Sequence, residues 1–429
     1  MKLPLSRTRP LGGPTLLGAF ILVVTIGQSW AEDWPQFRGP RGDGTWNGPK
    51  LDLTWPAEGP RIAWRRPVGG GYAGVVAVDG VVFTMDRQTA PREVERVLAF
   101  DATSGEPLWT HEYPVAYGNL DYGTGPRAAP TIHGGRVYTL GAMGQAFCLD
   151  AKTGRVIWSK DFASLGAEIP TWGLAASPLI WRDLVILHPG VRPDGSLVAL
   201  DALTGAERWR ASKDPAGYAT PIIIHVAGQD RLVAWSPTNV LGLDPRSGEV
   251  LWSVPYPVTY GVSIAAPVFH RNVVFVAGYW EGSKAIRLSD SPGEATLVYE
   301  ENRNLRGLMS QPLVKEGHGY LLDKGHGLIC FEYETGAKVW DDGYRLTPRG
   351  RNPQASLVWI GDENRVLALN AEGELILASL SPRGYEEHAR AKILEPTWAH
   401  PAYAGTRGFA RNDQELVALE LPLAGSGGK

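Results

Sequence analysis

The stretch that decides the fold reads Ala99-Phe-Asp101-Ala-Thr-Ser-Gly105-Glu-Pro-Leu-Trp109, and it recurs four more times along the chain. The second copy runs from Cys148-Leu-Asp150 through Gly154 to Trp158, and the third from Ala199-Leu-Asp201 through Gly205 to Trp209. The fourth spans Gly242-Leu-Asp244 through Gly248 to Trp252, and the fifth Cys330-Phe-Glu332 through Gly336 to Trp340. A period in the forties built of short strands and turns is the signature of propeller blades.

Each part of the pattern has a physical role. The acid and the Gly flank a tight turn between two β-rich runs. A carboxylate there accepts backbone N–H bonds, and Gly supplies the positive φ that such a hairpin needs. Ser or Thr just before the Gly (Ser104, Thr153, Thr204, Ser247, Thr335) adds a second local acceptor. The Trp enters the outgoing strand, where its face can pack on the neighbouring blade. These positions are read as structural docking residues.

Degenerate copies fill the gaps. Leu288-Ser289 followed by Tyr299 stands for the fifth blade, Leu380-Ser381 with Gly384 for the seventh, and Leu419-Glu420 for the eighth. The acid-equivalent positions are then separated by 39 to 51 residues. Little chain follows Leu419, whereas Ile62-Ala-Trp64-Arg65 is an outgoing strand with no blade before it. The expectation is an all-β, eight-bladed propeller of four-stranded antiparallel blades, closed by the N-terminal strand in the C-terminal blade; seven blades is the alternative. Closure removes exposed sheet edges. Hairpins such as Val75-Val-Ala-Val78, Asp79-Gly80, Val81-Val-Phe83 carry a type I′ turn signal. With 44% hydrophobic residues, the 52 Gly and 33 Pro indicate many turns rather than disorder.

Residues 1–31 read as a signal peptide. Lys2, Arg7 and Arg9 are basic, Leu16 to Ile26 apolar, and Ser29-Trp-Ala31 a small-x-small site. An uncleaved anchor is the alternative. No Cys stands near that site for a lipid anchor, and Thr8 interrupts a twin-arginine pair. The expected location is periplasmic or secreted, with no integral membrane span after cleavage. Residues 32–60 form an extended N-terminal segment, 61–421 the propeller, and 422–429 a flexible tail. A formal charge of −3 argues against nucleic acid as a partner. Cys148 and Cys330 lie nearly opposite across the ring, beyond the ~7 Å Cα reach of a disulfide, and read as buried thiols.

The nine histidines show no close metal spacing, and the chain carries no zinc Cys pair, phosphate loop or Gly-x-Ser-x-Gly elbow. No catalytic residue and no metal ligand is assigned. A subtler signal precedes the first strand of several blades, in connectors such as Gly123-Thr-Gly-Pro-Arg127 and Pro170-Thr-Trp172. These converge on one mouth of the channel, so Arg127, Trp172, Tyr218, Ser263, Arg306 and Gln354 are the candidate ligand-binding ring. The bland reading is that they solvate and plug the channel.

The repeat is similar to the tryptophan-docking motif of pyrroloquinoline-quinone (PQQ) dehydrogenases and their relatives, over about residues 60–421. The opening Asp33-Trp-Pro-Gln-Phe-Arg-Gly-Pro40 also looks like the start of secreted PQQ-like propellers. Within that superfamily the chain looks closer to the BamB branch of non-enzymatic periplasmic scaffolds, although it lacks their lipobox Cys. The quinoprotein enzymes imply an adjacent Cys-Cys disulfide and calcium-binding acids at the mouth. Here the two cysteines are far apart and the connectors named for the ring hold no acid. The expectation is therefore a non-catalytic platform without cofactor, binding an envelope protein segment or a glycan. A PQQ- and calcium-dependent alcohol or sugar dehydrogenase is the competing class, and a purely structural module the third.

Overall fold

The computed structural model describes Met1, residues 31–361 and residues 363–425. The signal peptide assigned to 1–31 thus lies outside the described residues apart from its two ends, as do the last four residues of the tail.

Eight antiparallel sheets follow one another in sequence, and the count is eight rather than seven. Blade one is typical: strands Val76–Val78, Val81–Gln88, Val94–Asp101 and Pro107–Pro114 pair in that order. The first strands of neighbouring blades lie against one another, which places them innermost. Blade eight contains Ala402–Ala404, Arg407–Arg411 and Glu415–Glu420, and Arg61–Pro67 from the N-terminal side is its outermost strand. The ring is closed as its sequence implies. At the type I′ hairpin both Asp79 (φ 52°) and Gly80 (φ 76°) are left-handed.

The repeat explains the joints between blades. Asp101 Oδ1 accepts the Thr103 N–H (2.9 Å), the Ser104 N–H (2.7 Å) and the Ser104 hydroxyl (2.9 Å). One strand later a bulge sets Trp109 opposite Ala99 while Pro107 faces Phe100. That extra residue re-aims the indole toward the next blade. There Trp109 Nε1 donates to the Ala151 carbonyl (3.0 Å), just past Asp150. A Cβ on Gly154 (φ 69°) would lie 2.6 Å from that indole, so the glycine is required by both its backbone and its neighbour. Trp64, Trp158 and Trp209 dock the same way, against Gly105, Gly205 and Gly248. Tyr299 replaces Trp in blade five and packs on Gly336, its hydroxyl donating to the Tyr333 carbonyl (3.0 Å).

Two joints depart from the pattern. Trp252 is buried but its Nε1 has no acceptor among the described residues, because blade five carries Ser289 and no docking Gly. Arg231, itself buried, bridges there instead, donating to the Ser289 (3.0 Å) and Asp290 (2.8 Å) carbonyls. In blade seven the docking position is Ala389, and the residue opposite it is Leu377. Elsewhere the residue opposite the aromatic is small: Ala99, Cys148, Ala199, Gly242, Ala285 and Cys330. Volume is exchanged across the strand pair, as a close-packed interior demands. Both cysteines are free and buried beneath an indole, and burial pushes their thiols up to about 11 and about 12.

The N-terminal segment threads the channel. Trp34 bridges Ala77 on the inner strand of blade one, and the Pro35 carbonyl accepts the Ile132 N–H of blade two (2.8 Å). Thr45–Trp46 then adds parallel to Ala355–Ile360, the inner strand of blade seven. Between them Arg38, 5% exposed, donates to the Pro312 (2.8 Å) and Asp43 carbonyls (3.0 Å). Residues 422–424, read from sequence as tail, pair with 50–52: Leu51 bridges Leu423, and the Ala424 N–H reaches the Lys50 carbonyl at 2.9 Å. The chain is tied to its own start at that point, which a flexible tail would not be.

Candidate functional site

Antiparallel strand order puts the Asp-to-Gly turns on one face of the ring and the inter-blade connectors on the other. On the connector face, every joint is laced by a short polar link. The Ala129 N–H donates to Ser177 Oγ (2.9 Å), and the Ser177 N–H to Thr220 Oγ1 (2.9 Å). The Ala266 N–H donates to Gln311 Oε1 (2.7 Å), and Ser310 Oγ to Gln354 Oε1 (2.9 Å). Ser356 Oγ meets His400 Nδ1 at 3.0 Å. Backbone bonds complete the circle: Tyr218 N–H to the Ser263 carbonyl, Ala73 N–H to Pro126, and Val75 N–H to His400.

Above this lacing opens a cavity of about 380 Å³, in the size range of small-ligand pockets. Eight of its lining residues are Phe, Tyr or Trp. Tyr72 stacks on Trp398 (ring centroids 5.7 Å, 29° between planes), and Tyr122 leans on the same indole (5.6 Å). Trp172 meets Tyr218 at 5.7 Å on the blade three and four side. Tyr279 and Trp280, from a loop within blade five, meet edge to face at 4.7 Å. Phe37 of the channel-threading segment also lines the cavity and packs edge-on against His400 (4.9 Å). The channel is therefore a blind cup at this face.

Arg127 is the main charge in the cup. Its guanidinium donates to the carbonyls of Gly125, Asp121 (2.9 Å) and Tyr122 (2.7 Å) and lies over the rings of Tyr72 (5.6 Å) and Tyr117 (5.8 Å). Among the described residues no carboxylate forms an ion pair with it. Behind Tyr117, the buried Glu95 carboxyl accepts hydroxyls from Tyr113 and Tyr117 and the Ala142 N–H (3.1 Å), and burial raises its pKa. Burial lowers the pKa of Arg127, raises Tyr218 to about 12, and lowers His400 to about 4, with Arg38 adding to the last.

The ring named from sequence is brought together in part. Arg127, Trp172, Tyr218 and Gln354 line the cup. Ser263 and Arg306 do not. Ser263 is wholly buried beneath the lining residues Val262 and Ile264. Arg306 turns away to Asp323, whose carboxylate accepts its backbone N–H (2.8 Å) and its Nε–H (3.2 Å). A buried carboxylate needs a partner more than the mouth needs another cation. Tyr72, Trp398 and His400 also line the cup; they come from the connectors of blades one and eight, which carry no pattern in common with those that supply Arg127 and Trp172. Asp121, which stands two residues before the connector Gly123-Thr-Gly-Pro-Arg127, lines it as well.

The donor set bears on the metal and quinone that such propellers imply. Asp121 supplies the one carboxylate of the lining, and Gln354 Oε1 and Gln311 Oε1 are already bonded within the lacing. Among the described residues no group of three or more His, Cys, Asp or Glu could hold a metal ion. Calcium takes about six to eight oxygen ligands, so these residues do not fit a calcium-held quinone.

A closed ring of eight blades, six of them carrying a docking tryptophan, around an aromatic cup defines the class: a PQQ-like β-propeller. Within that class the chain belongs to the family described as outer membrane protein assembly factor BamB, whose family model matches residues 93–342. It is 23% identical over 263 residues to BamB of Moranella endobia, covering 57% of this chain and 61% of that protein. It is also 27% identical over 200 residues to the dehydrogenase subunit of a quinone alcohol dehydrogenase of Gluconacetobacter polyoxogenes, covering 42% of this chain and 25% of that one. Among solved structures, BamB from Moraxella catarrhalis superposes with a TM-score of 0.61 at 15% identity, covering 84% of this chain and all (100%) of that one. A europium-containing methanol dehydrogenase gives 0.63 at 12% identity, covering 90% and 89%. At those identities the two structures speak for the fold alone.

Proposed function

We propose that this chain is a secreted, non-catalytic propeller that serves as a binding platform in cell-envelope assembly, with its partner seated on the aromatic mouth. The observation that carries the reading is the cup itself: aromatic walls, a floor made by the chain's own N-terminal segment, and side chains committed to lacing blades rather than to chemistry. Membership of the BamB family supports an envelope role. The location is periplasmic or extracellular; among the described residues no helix is long and apolar enough to cross a membrane.

The test compares retention of envelope components by the immobilised chain and by a Trp280→Ala, Trp398→Ala double variant of unchanged melting temperature. Retention lost in the variant supports the platform; equal retention by both removes the mouth from the function. The competing reading, a quinone- and calcium-dependent dehydrogenase, draws on the similarity to the alcohol dehydrogenases. Ligand at 100 times Kd stabilises a fold by ~2.7 kcal/mol. A saturable thermal shift with PQQ and calcium that Arg127→Ala abolishes would make the enzyme the better reading.

A further inference from the structure

Three features of the mouth narrow what can sit there. The first is ring surface. Trp172, Trp280 and Trp398 reach the cup from three sides, and Trp280 is 42% exposed. Aromatic faces carry negative charge density, which attracts the polarised C–H bonds of a flat, amphipathic ligand while its hydroxyls stay wet.

The second is an uncompensated cation. Arg127 is bonded only to carbonyls and flanked by rings, and with five N–H donors it makes three hydrogen bonds. Arg351 also lines the cup, against the single carboxylate of Asp121. Both Nη2 hydrogens are given to carbonyls, so the free Nε–H and the second Nη1–H are what remains for a ligand, and a cation in a half-buried aromatic setting favours a carboxylate as their acceptor.

The third is a shortage of backbone donors. A proline stands at or just before the start of the inner strand at positions 130, 178, 221, 267, 312 and 401. Nearby connector amides are consumed in the lacing. An extended peptide that binds by strand addition would find no open ladder here.

We infer that the cup is a saccharide site for an acidic glycan, with sugar rings stacked on the mouth tryptophans and a uronic carboxylate on Arg127. This rests on the reading of the mouth as the binding face and names its ligand class. Neutral glycans lack the partner for Arg127, and peptides lack the ladder.

The experiment follows tryptophan fluorescence of the full chain during titration with trigalacturonate, triglucuronate and trimannuronate, with their methyl esters and with a penta-alanine peptide. The expected result is saturable quenching by at least one free acid, with its uncharged ester weaker by about tenfold, the effect of removing one charge-assisted pair. About 0.5 M salt should weaken the acid toward the ester. Arg127→Gln should bring the acid-to-ester affinity ratio from about tenfold to near one; Arg351→Gln, at the rim, should lower that ratio less. Thermal melting of each variant separates lost binding from lost fold. Equal affinity of acid and ester, or no quenching by any saccharide, overturns the inference. If the envelope component retained by the mouth proves to be protein while saccharides fail, the platform stands and the glycan falls. If retention is also independent of the mouth tryptophans, both fall.

Discussion

The two faces of the ring are made by the same repeating chain and are spent differently. On the turn face, the repeat's acids close their own turns, Gly105, Gly154, Gly205 and Gly248 each receive an indole, and the N–H of each of those indoles finds a carbonyl. Little is left over for a ligand. On the mouth face, the lacing also uses its polar atoms, but the aromatics above it stay partly exposed and Arg127 keeps no carboxylate. Groups that join blades are satisfied within the protein, and groups that are left available gather at one end.

The comparison breaks first if the N-terminal segment is dispensable. Removing residues 32–66 takes away the channel-threading stretch and the outer strand of blade eight, which pairs along Glu415–Glu420. An open ring exposes a sheet edge and a hydrophobic channel. The expected outcome is loss of the cooperative melting transition and association in size-exclusion chromatography. A monomeric truncation with the parent's melting curve would show that closure is not what holds the blades.

A second contrast sets one tryptophan from each face side by side. Trp158→Ala removes an indole that is 8% exposed, seated on Gly205 and bonded to the Ala202 carbonyl. Its expected penalty is about 3–5 kcal/mol in denaturant unfolding. Trp398→Ala, at the mouth, should lose under about 1 kcal/mol. Similar losses at both positions would mean that the mouth aromatics are part of the fold's support.

The same division explains what could be read in the sequence. Asp101, Gly105 and Trp109 recur because every joint poses the same steric problem, so the blade number and the closing strand were legible. The bulge was not, because it shows only in the pairing of Trp109 with Ala99, yet it accounts for the cysteines as small residues under an indole. Among the mouth candidates, Arg127, Trp172, Tyr218 and Gln354 reach the cup and Arg306 does not, because Asp323 competes for it. Tyr72 and Trp398 were missed because mouth connectors differ in length and share no pattern. The use of 34–46 as a channel filling rests on long-range pairing with blades one, two and seven, which local spacing does not encode.

Acid should reach the two faces in different pH windows. His188 lies under the mouth connectors, 1% exposed, with Nε2 accepting the Gly217 N–H (3.0 Å) and 3.1 Å from Ser196 Oγ. Burial depresses its pKa from 6.5 to about 4, so the fold favours the neutral ring. Its contribution is complete above pH 6.5 and is lost as pH falls through about 4, for a total of about 3 kcal/mol. Asp201 on the turn face is held near 2, first by Arg208 and then by the Thr204 N–H. That contribution is complete above its ordinary 3.8 and fades only toward pH 2. Melting temperature against pH should therefore fall in two stages. His188→Gln should shrink the upper stage, which His400 shares, and Asp201→Asn the lower; the reverse assignment would undo the comparison.

The smallest effect probes whether the mouth holds residues at the fold's expense. Tyr260 sits in the connector to blade five with φ 56°, and Tyr122 in the connector to blade two with φ 50°. Both are exposed, 75% and 48%, and left-handed backbone is unfavourable for a bulky side chain. Tyr260 touches Trp280 edge to face (5.4 Å), and Trp280 in turn meets Tyr279. Such a residue relieves no burial need and meets no hydrogen-bond need of the ring. Asn tolerates this backbone region better, so Tyr260→Asn should raise stability by about 0.5 kcal/mol in denaturant melts. The same variant should weaken whatever the mouth retains, because it strips one aromatic from the rim. A destabilised variant would show that Tyr260 supports the connector and would move it to the structural side of the divide. A stabilised variant with unchanged retention would leave the strained tyrosine without a role at the mouth.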